Sequence, residues 1–149
     1  MRNIILFFSS VFGTGYIKYA PGTFGSLVGI LLWYFFIPQN YFIQAVAVAL
    51  MFFASVLFSS LAEKIYNKKD DQRIVIDEVC GVWISVLFLP KTVLFLTLGF
   101  ILFRIFDITK PLLIKKLQKI KGGVGITIDD VAAGIITNVI LQILLTIDS

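Results

Sequence analysis

Two pairs of adjacent acids, Asp77-Glu78 and Asp129-Asp130, stand where apolar segments begin rather than within polar loops. A charged side chain at the centre of a membrane helix costs roughly 2.5–3.5 kcal/mol on insertion scales, and less near the interface. Such acids need compensation, either from Arg73 or from a divalent cation such as Mg²⁺, which prefers oxygen ligands. The pattern therefore predicts that these four residues ligate metal and activate water. The alternatives are an interfacial charge cluster and, for the second pair, favourable charge at a helix N-terminus.

Two more acids precede the first pair, each by seven residues. Asp70 and Asp77, like Asp71 and Glu78, would lie about 10 Å apart along the axis of a continuous helix. A membrane-spanning helix that ends at Pro90 must begin near Asp70, so we expect this continuous helix. The two sets of acids then cannot share one ion, because Mg²⁺ holds its oxygens at about 2.1 Å. The second acid pair becomes the natural source of further ligands, and Asp71 stays a candidate.

Basic residues that could hold a phosphate precede Pro111. Arg104, Asp107 and Lys110 recur at intervals of three, which places them roughly on one helix face. The Arg and the Lys could bind phosphate oxygens while Asp107 orients them or joins the metal. Membrane-anchoring charges with a local ion pair are the alternative. Other candidate contacts of the substrate phosphate are Arg73, Thr23 and Ser26, with Lys18 steering the headgroup.

Several mechanisms are excluded by residues that the chain lacks. It contains no histidine, which removes histidine nucleophiles and most zinc enzymes. No Asp-x-Asp pair is present for an aspartyl-phosphate mechanism. The single cysteine, Cys80, has Val86 rather than Arg six positions later, so a cysteine-phosphatase loop is absent, and a small apolar helix residue is the simpler interpretation. Metal-assisted attack of water on a phosphate remains compatible with the sequence.

The composition indicates that these residues are positioned by membrane helices. Of the 149 residues, 58% are hydrophobic and 15% are charged, against about 45–50% and about 25% in soluble domains. The net charge of +4 comes from basic residues grouped between apolar runs, as in cytoplasmic loops that face anionic lipid, so no nucleic-acid partner is expected.

Five apolar runs predict an all-α, polytopic bundle of about five membrane segments, some short or re-entrant, in one domain over residues 1–149. The runs are Gly25–Ile37, Tyr41–Leu61, Val79–Leu89, Val93–Phe106 and Val131–Ile147. The positions of Lys and Arg put the N-terminus and most acids on the cytoplasmic side. Residues 4–12 are interpreted as interfacial or re-entrant, with a weak signal peptide as the alternative, and Leu112 to Lys121 as a short interfacial helix.

Four ordered motifs resemble those of the phosphatidylglycerophosphatase A family. The motifs are Ala20-Pro21-Gly22-Thr23-Phe24-Gly25-Ser26, Asp70-Asp71-Gln72-Arg73-Ile74-Val75-Ile76-Asp77-Glu78-Val79-Cys80-Gly81, Phe103-Arg104-Ile105-Phe106-Asp107-Ile108-Thr109-Lys110-Pro111 and Gly122-Gly123-Val124-Gly125-Ile126-Thr127-Ile128-Asp129-Asp130-Val131-Ala132-Ala133-Gly134. The chain departs from the family at Val82, where Gln is usual, at Leu113, where a proline is common, and at Thr127, where Met is frequent. The resemblance implies an all-helical bacterial inner-membrane enzyme. It also implies Mg²⁺-dependent hydrolysis of phosphatidylglycerophosphate to phosphatidylglycerol and inorganic phosphate.

The predicted function is therefore a Mg²⁺-dependent lipid phosphatase with its site at the cytoplasmic face. Two alternatives stay open: action on another lipid phosphate such as phosphatidic acid, and a non-catalytic transporter or assembly protein with a cation-binding acid cluster. A CDP-alcohol phosphotransferase is disfavoured because its spaced D-G-x₂-A-R…G-x₃-D-x₃-D pattern is absent.

Overall fold

The computed structural model describes residues 1–149, and the prediction of an all-helical protein is confirmed. There are seven α-helices, one 3₁₀ turn at Thr14–Tyr16 and no strands. The helices are α1 (Arg2–Ser9), α2 (Pro21–Phe36), α3 (Tyr41–Tyr66), α4 (Ile76–Val86), α5 (Val93–Thr109), α6 (Leu112–Leu117) and α7 (Gly122–Asp148). The short helix predicted between Leu112 and Lys121 is present as α6.

Local sequence signals account for several helix ends. Asn40 and Thr92 precede α3 and α5, and the side-chain oxygen of each accepts a hydrogen bond from the backbone N–H three residues later, which satisfies a donor at the helix start. Pro21 opens α2, where its fixed φ and missing N–H are tolerated. At the other end of α3, Asn67 ends the helix in the left-handed conformation.

Helix α4 lies at the centre of the bundle, and nine of its eleven residues are buried. It packs against α2, α3, α5 and α7. The prediction that this helix begins near Asp70 is wrong, because α4 begins only at Ile76 and is about 16 Å long. Its approach is instead a turn in which the Asp71 carboxylate accepts the backbone N–H of Arg73 at 3.0 Å. Residues 70–75 therefore lie outside α4, and they form the turn that precedes it.

Glycines allow α4 and α7 to pack with their backbones close together. A Cβ added at Gly134 would overlap the backbone carbonyl oxygen of Gly81, and one added at Gly81 would lie 2.8 Å from the Asp130 carbonyl oxygen. Small residues at helix contacts of this kind are common where helices associate in lipid. The close approach brings the Asp130 end of α7 beside the first turn of α4.

The outer surface of the bundle is apolar, whereas several hydroxyl-bearing side chains are buried. Phe53, Leu57 and Val139 are among many large apolar residues that are more than half exposed. Inside, the Ser55 and Thr127 hydroxyls hydrogen-bond to each other at 2.8 Å between α3 and α7. Both of these helices are long and apolar enough to cross a membrane, and only 17% and 28% of their most apolar windows are buried. This distribution fits a protein that associates with lipid.

The N-terminal segment folds back on itself before α2. Helix α1 packs on α3, with the rings of Phe8 and Phe58 5.3 Å apart. The chain then turns through Gly13, where φ is +93°, a value that glycine adopts readily. After this reversal the Tyr16 hydroxyl lies 2.8 Å from that of Tyr66, at the end of α3.

Candidate active site

A polar cavity of about 320 Å³ opens at one end of the bundle, where α2 and α4 begin and α5 ends. Helix α7 contributes residues that lie about 10 Å along its axis from its first residue. The cavity is lined by Ala20, Pro21, Gly22, Asp70, Gln72, Ile74, Asp77, Glu78, Arg104, Asp107, Ile108, Lys110, Asp129 and Asp130. Six carboxylates and two basic groups therefore face one space.

This cavity brings together most of the residues that were predicted to do chemistry. The four acids of the two adjacent pairs are all present, as are Arg104, Asp107 and Lys110. They come from three helices that are far apart in the sequence. Because these side chains line one cavity, they could act on the same phosphate. Their roles in metal binding and catalysis remain predictions.

The acids are largely buried and incompletely paired. Asp77 is 7% exposed and Asp130 is 2% exposed. One oxygen of each, together with Oε2 of Glu78, is buried without a hydrogen-bond partner. An unpaired buried carboxylate oxygen is costly, and such a group either takes up a proton or binds a cation. The cavity therefore has free oxygen acceptors for a cation.

Both basic groups of the cavity already contact acids. The Lys110 ammonium lies 2.9 Å from Oδ2 of Asp129. The Arg104 guanidinium lies 3.5 Å from Oε1 of Glu78 and contacts the Asp107 carboxylate. Two basic groups cannot balance six carboxylates if all of them are ionised. A divalent cation would offset part of the remaining negative charge and would allow Arg104 and Lys110 to turn towards a phosphate.

The donor set suits Mg²⁺ in kind, since all of the candidate ligands are carboxylate oxygens. As the side chains stand, no group of three acids could hold one metal ion. Binding a cation therefore requires carboxylates of the cavity to turn towards a common point. The free oxygens on Asp77, Glu78 and Asp130 are available for this without loss of an existing hydrogen bond.

Seven of the fourteen lining residues were not assigned to the site from the sequence, and three of them show what the fold adds. Asp70 and Gln72 line the cavity because the approach to α4 is a turn rather than a helix. Gly22 lines it because α2 begins against α4, and a Cβ added there would overlap the Glu78 carboxylate. The Ala-Pro-Gly motif signals a helix start, but only the contact with Glu78 explains why the third position is glycine.

Five predicted residues lie outside the cavity lining: Lys18, Thr23, Ser26, Asp71 and Arg73. Ser26 is buried and its hydroxyl donates to the Gly22 carbonyl oxygen at 2.8 Å. Lys18 lies over the Tyr19 ring at 5.4 Å. Arg73 makes two hydrogen bonds to the Asp71 carboxylate, at 2.7 and 3.0 Å, and stacks 3.7 Å from the Tyr66 ring centre. The Asp71–Arg73 pair thus braces the turn that carries Asp70 and Gln72 into the cavity.

The Asp71–Arg73 pair makes stability depend on pH in the acid range. The hydrogen bond from Arg73 lowers the pKa of Asp71 to about 2, whereas an unfolded Asp has a pKa of about 3.9. The pair's contribution is therefore complete above about pH 4 and is lost as the pH falls towards 2. We expect Asp71→Asn to lower the thermal denaturation midpoint in detergent by about 2–4 °C at pH 7. The difference from the unmodified protein should vanish near pH 2, and a pH-independent difference would contradict the pairing.

The fold and the cavity define a lipid-associated helical protein whose acidic site, with an Arg and a Lys, is suited to phosphate-ester chemistry. The sequence model for phosphatidylglycerophosphatase A matches residues 7–145. The chain therefore belongs to the phosphatidylglycerophosphatase A family and is a phosphatase, which confirms the resemblance.

Curated relatives cover most of the chain. A Bacteroides thetaiotaomicron protein, described as a candidate phosphatidylinositol-3-phosphatase, is 37% identical over 140 residues, which are 89% of this chain and 87% of the relative. The Escherichia coli phosphatidylglycerophosphatase A is 36% identical over 132 residues, 87% of this chain and 77% of its own. The Haemophilus influenzae phosphatidylglycerophosphatase A is 36% identical over 127 residues, with coverages of 83% and 78%. No solved structure matches the chain.

Proposed function

We propose that this protein hydrolyses phosphatidylglycerophosphate to phosphatidylglycerol and inorganic phosphate. The observation that carries the proposal is the cavity in which two acid pairs from α4 and α7 meet Arg104 of α5 and Lys110, which directly follows that helix. In the reaction the oxygen of water bonds to the terminal phosphorus and the ester P–O bond breaks. One proton of the water goes to a site carboxylate and is then delivered to the departing glycerol oxygen, so that the site returns to its starting state. Family membership and the two relatives named for this activity support the substrate.

The chain's own residues are assigned as follows. Arg104 and Lys110 hold the oxygens of the terminal phosphate, with Arg104 leaving Glu78 and Lys110 leaving Asp129 as the phosphate enters. A free oxygen on Asp77 or Asp130 accepts the proton of the attacking water. Asp77, Glu78, Asp129 and Asp130 would hold Mg²⁺, and Asp107 keeps Arg104 oriented. When bound, the metal polarises the phosphate and acidifies water.

We further propose a multi-pass arrangement with the cavity on the cytoplasmic side of a bacterial inner membrane. The basic residues Lys64, Lys68, Lys69 and Lys121 group at the end of α3 and the start of α7. That is the end of the bundle at which α2 and α4 also begin. Excess Lys and Arg mark cytoplasmic loops. A headgroup phosphate could then enter the cavity while its acyl chains stay in the bilayer.

Substrate choice is tested by phosphate release from purified protein in detergent micelles. We expect phosphatidylglycerophosphate to be hydrolysed with the highest kcat/KM. Phosphatidylinositol 3-phosphate is the second candidate, because the Bacteroides relative is described by that activity. Phosphatidic acid is the third arm of the comparison. Preference for either of the latter two would replace the proposed substrate, and the absence of release from all three would favour a non-catalytic cation-binding protein.

Removal of the metal tests the proposed cofactor. We expect EDTA to reduce phosphate release by at least about 10³-fold, because a cation is needed to offset the six carboxylates and polarise the phosphate. Excess Mg²⁺ should restore the rate, while Ca²⁺ at the same concentration should restore less, since it accepts a looser coordination geometry. Full activity in EDTA after dialysis would contradict a metal-dependent reaction.

A further inference from the structure

We propose that an apolar cleft between α2 and α5 holds an acyl chain of the lipid substrate while its phosphate occupies the acidic cavity. The cleft has a volume of about 340 Å³, and seven of its eight lining residues are hydrophobic. It is lined by Leu27, Ile30, Leu31, Tyr34, Val93, Leu96, Thr97 and Phe100. This inference rests on the proposed function, because it names the part of the molecule that recognises the hydrocarbon of that substrate.

The cleft and the cavity are both lined by α5. Val93, Thr97 and Phe100 line the cleft, and the same helical stripe continues at Arg104 and Ile108, which line the cavity. Residues spaced three or four apart lie on one face of a helix. One face of α5 is therefore apolar along the cleft and carries the proposed phosphate ligand Arg104 at the cavity. A lipid has the same order, with its hydrocarbon chain at one end and its phosphate at the other.

Helix α2 forms the opposite wall in the same order. Its first residues, Pro21 and Gly22, line the cavity, and its later residues Leu27, Leu31 and Tyr34 line the cleft. The two helices run in opposite directions, so the cavity end of α2 faces the cavity end of α5. Both helices that line the cleft thus also line the acidic cavity at one end.

The length of the cleft fits a chain that occupies one leaflet. The cleft residues of α5, Val93 to Phe100, extend about 10 Å along the helix, and the face reaches Arg104 of the cavity after about 16 Å, at about 1.5 Å per residue. One leaflet contributes half of a hydrocarbon core that is about 30 Å thick. At the far end Lys91 donates to the Tyr34 carbonyl oxygen at 2.7 Å and lies 5.6 Å from the Tyr34 ring centre. This contact fixes the wall where the cleft ends.

The first test compares two phosphatidylglycerophosphates that differ only in chain length, one dipalmitoyl and one dihexanoyl. Leu31→Trp places a larger side chain in the cleft, and we expect KM for the long-chain substrate to rise about tenfold, the equivalent of losing roughly two buried methylene groups. KM for the short-chain substrate should stay unchanged. Leu57→Trp, at an apolar position of α3 that is 55% exposed, is the matched control and should alter neither. An equal effect of Leu31→Trp on both substrates, or on neither, would overturn the proposal.

The second test requires no turnover and leaves the cleft unmodified. The Asp77→Asn protein is irradiated in nanodiscs with phosphatidylglycerophosphate that carries a diazirine midway along one chain, and the labelled peptides are identified by mass spectrometry. We expect labels within α2 and α5 at the cleft, with competition by unlabelled substrate. Labels spread evenly over the apolar exterior would indicate bulk lipid only and would overturn the proposal. If the unmodified protein releases phosphate while this pattern is even, the cleft fails and the proposed function stands.

Discussion

Replacing Asp77 by Asn is expected to reduce kcat for phosphate release by roughly 10³-fold while the protein still folds in detergent. Asp77 lies in the first turn of α4 and is 7% exposed, with Oδ1 lacking any hydrogen-bond partner. The amide keeps the size of the carboxylate but removes its charge, so it neither accepts a proton from water nor binds a cation well. The measurement is phosphate release from phosphatidylglycerophosphate, with the thermal denaturation midpoint as the check on folding.

Asp148→Asn supplies the matched control for this prediction. Asp148 is the last residue of α7 and is exposed at the end of the chain away from the cavity. The same change of one charge should leave kcat and KM unaltered there. Retained turnover in Asp77→Asn would remove this residue from the proposed chemistry, even if the substrate assignment were correct.

Replacing Gly134 by Ala is expected to destabilise the protein by about 2–3 kcal/mol, at the upper end of the usual cost of overpacking. The added Cβ would overlap the carbonyl oxygen of Gly81. That atom belongs to the backbone of the central helix, so it cannot move aside as a side chain would. Separation of α7 from α4 would also shift Asp130 relative to Asp77, and we expect kcat to fall together with stability.

The thermal denaturation midpoint in detergent should fall by about 5–10 °C in Gly134→Ala. Val139→Ala, on the lipid-facing side of the same helix and 51% exposed, is the control and should change the midpoint little. A Gly134→Ala protein with the midpoint and activity of the unmodified chain would mean that α4 and α7 are not packed as closely as described.

The same close packing explains why the site lies within the bundle rather than on its surface. The acids of α7 lie about two turns from its first residue, and those of α4 lie in the first turn of a helix that begins late. The two pairs meet because the turn at Asp71–Arg73 carries the chain inward before α4 starts. The sequence also predicts that the two acid pairs meet, but it does so from a helix that extends back to Asp70. In the structure that stretch is a turn.

The sequence by itself determined the class of protein and most of its reactive groups. High apolar content, acids at the start of apolar runs and the absence of histidine are properties of residue identity, and they predicted helices, lipid association and metal-assisted phosphate chemistry. The four ordered motifs predicted the family, which the match over residues 7–145 confirms. Residue type and spacing alone single out Arg104, Lys110 and the four acids of the two adjacent pairs.

Only the tertiary structure decided which of these groups share a space. Arg73 turns to Asp71 and Tyr66 instead of lining the cavity, whereas Asp70 and Gln72 enter it. These outcomes depend on a turn braced by side-chain hydrogen bonds and on the late start of α4 at Ile76. Likewise, only the fold shows why two positions are glycine: a Cβ at Gly22 would overlap the Glu78 carboxylate, and one at Gly134 would overlap the Gly81 carbonyl oxygen. These contacts join residues that are more than 50 positions apart in the chain. They leave no periodic pattern in the sequence, so a single sequence does not reveal them.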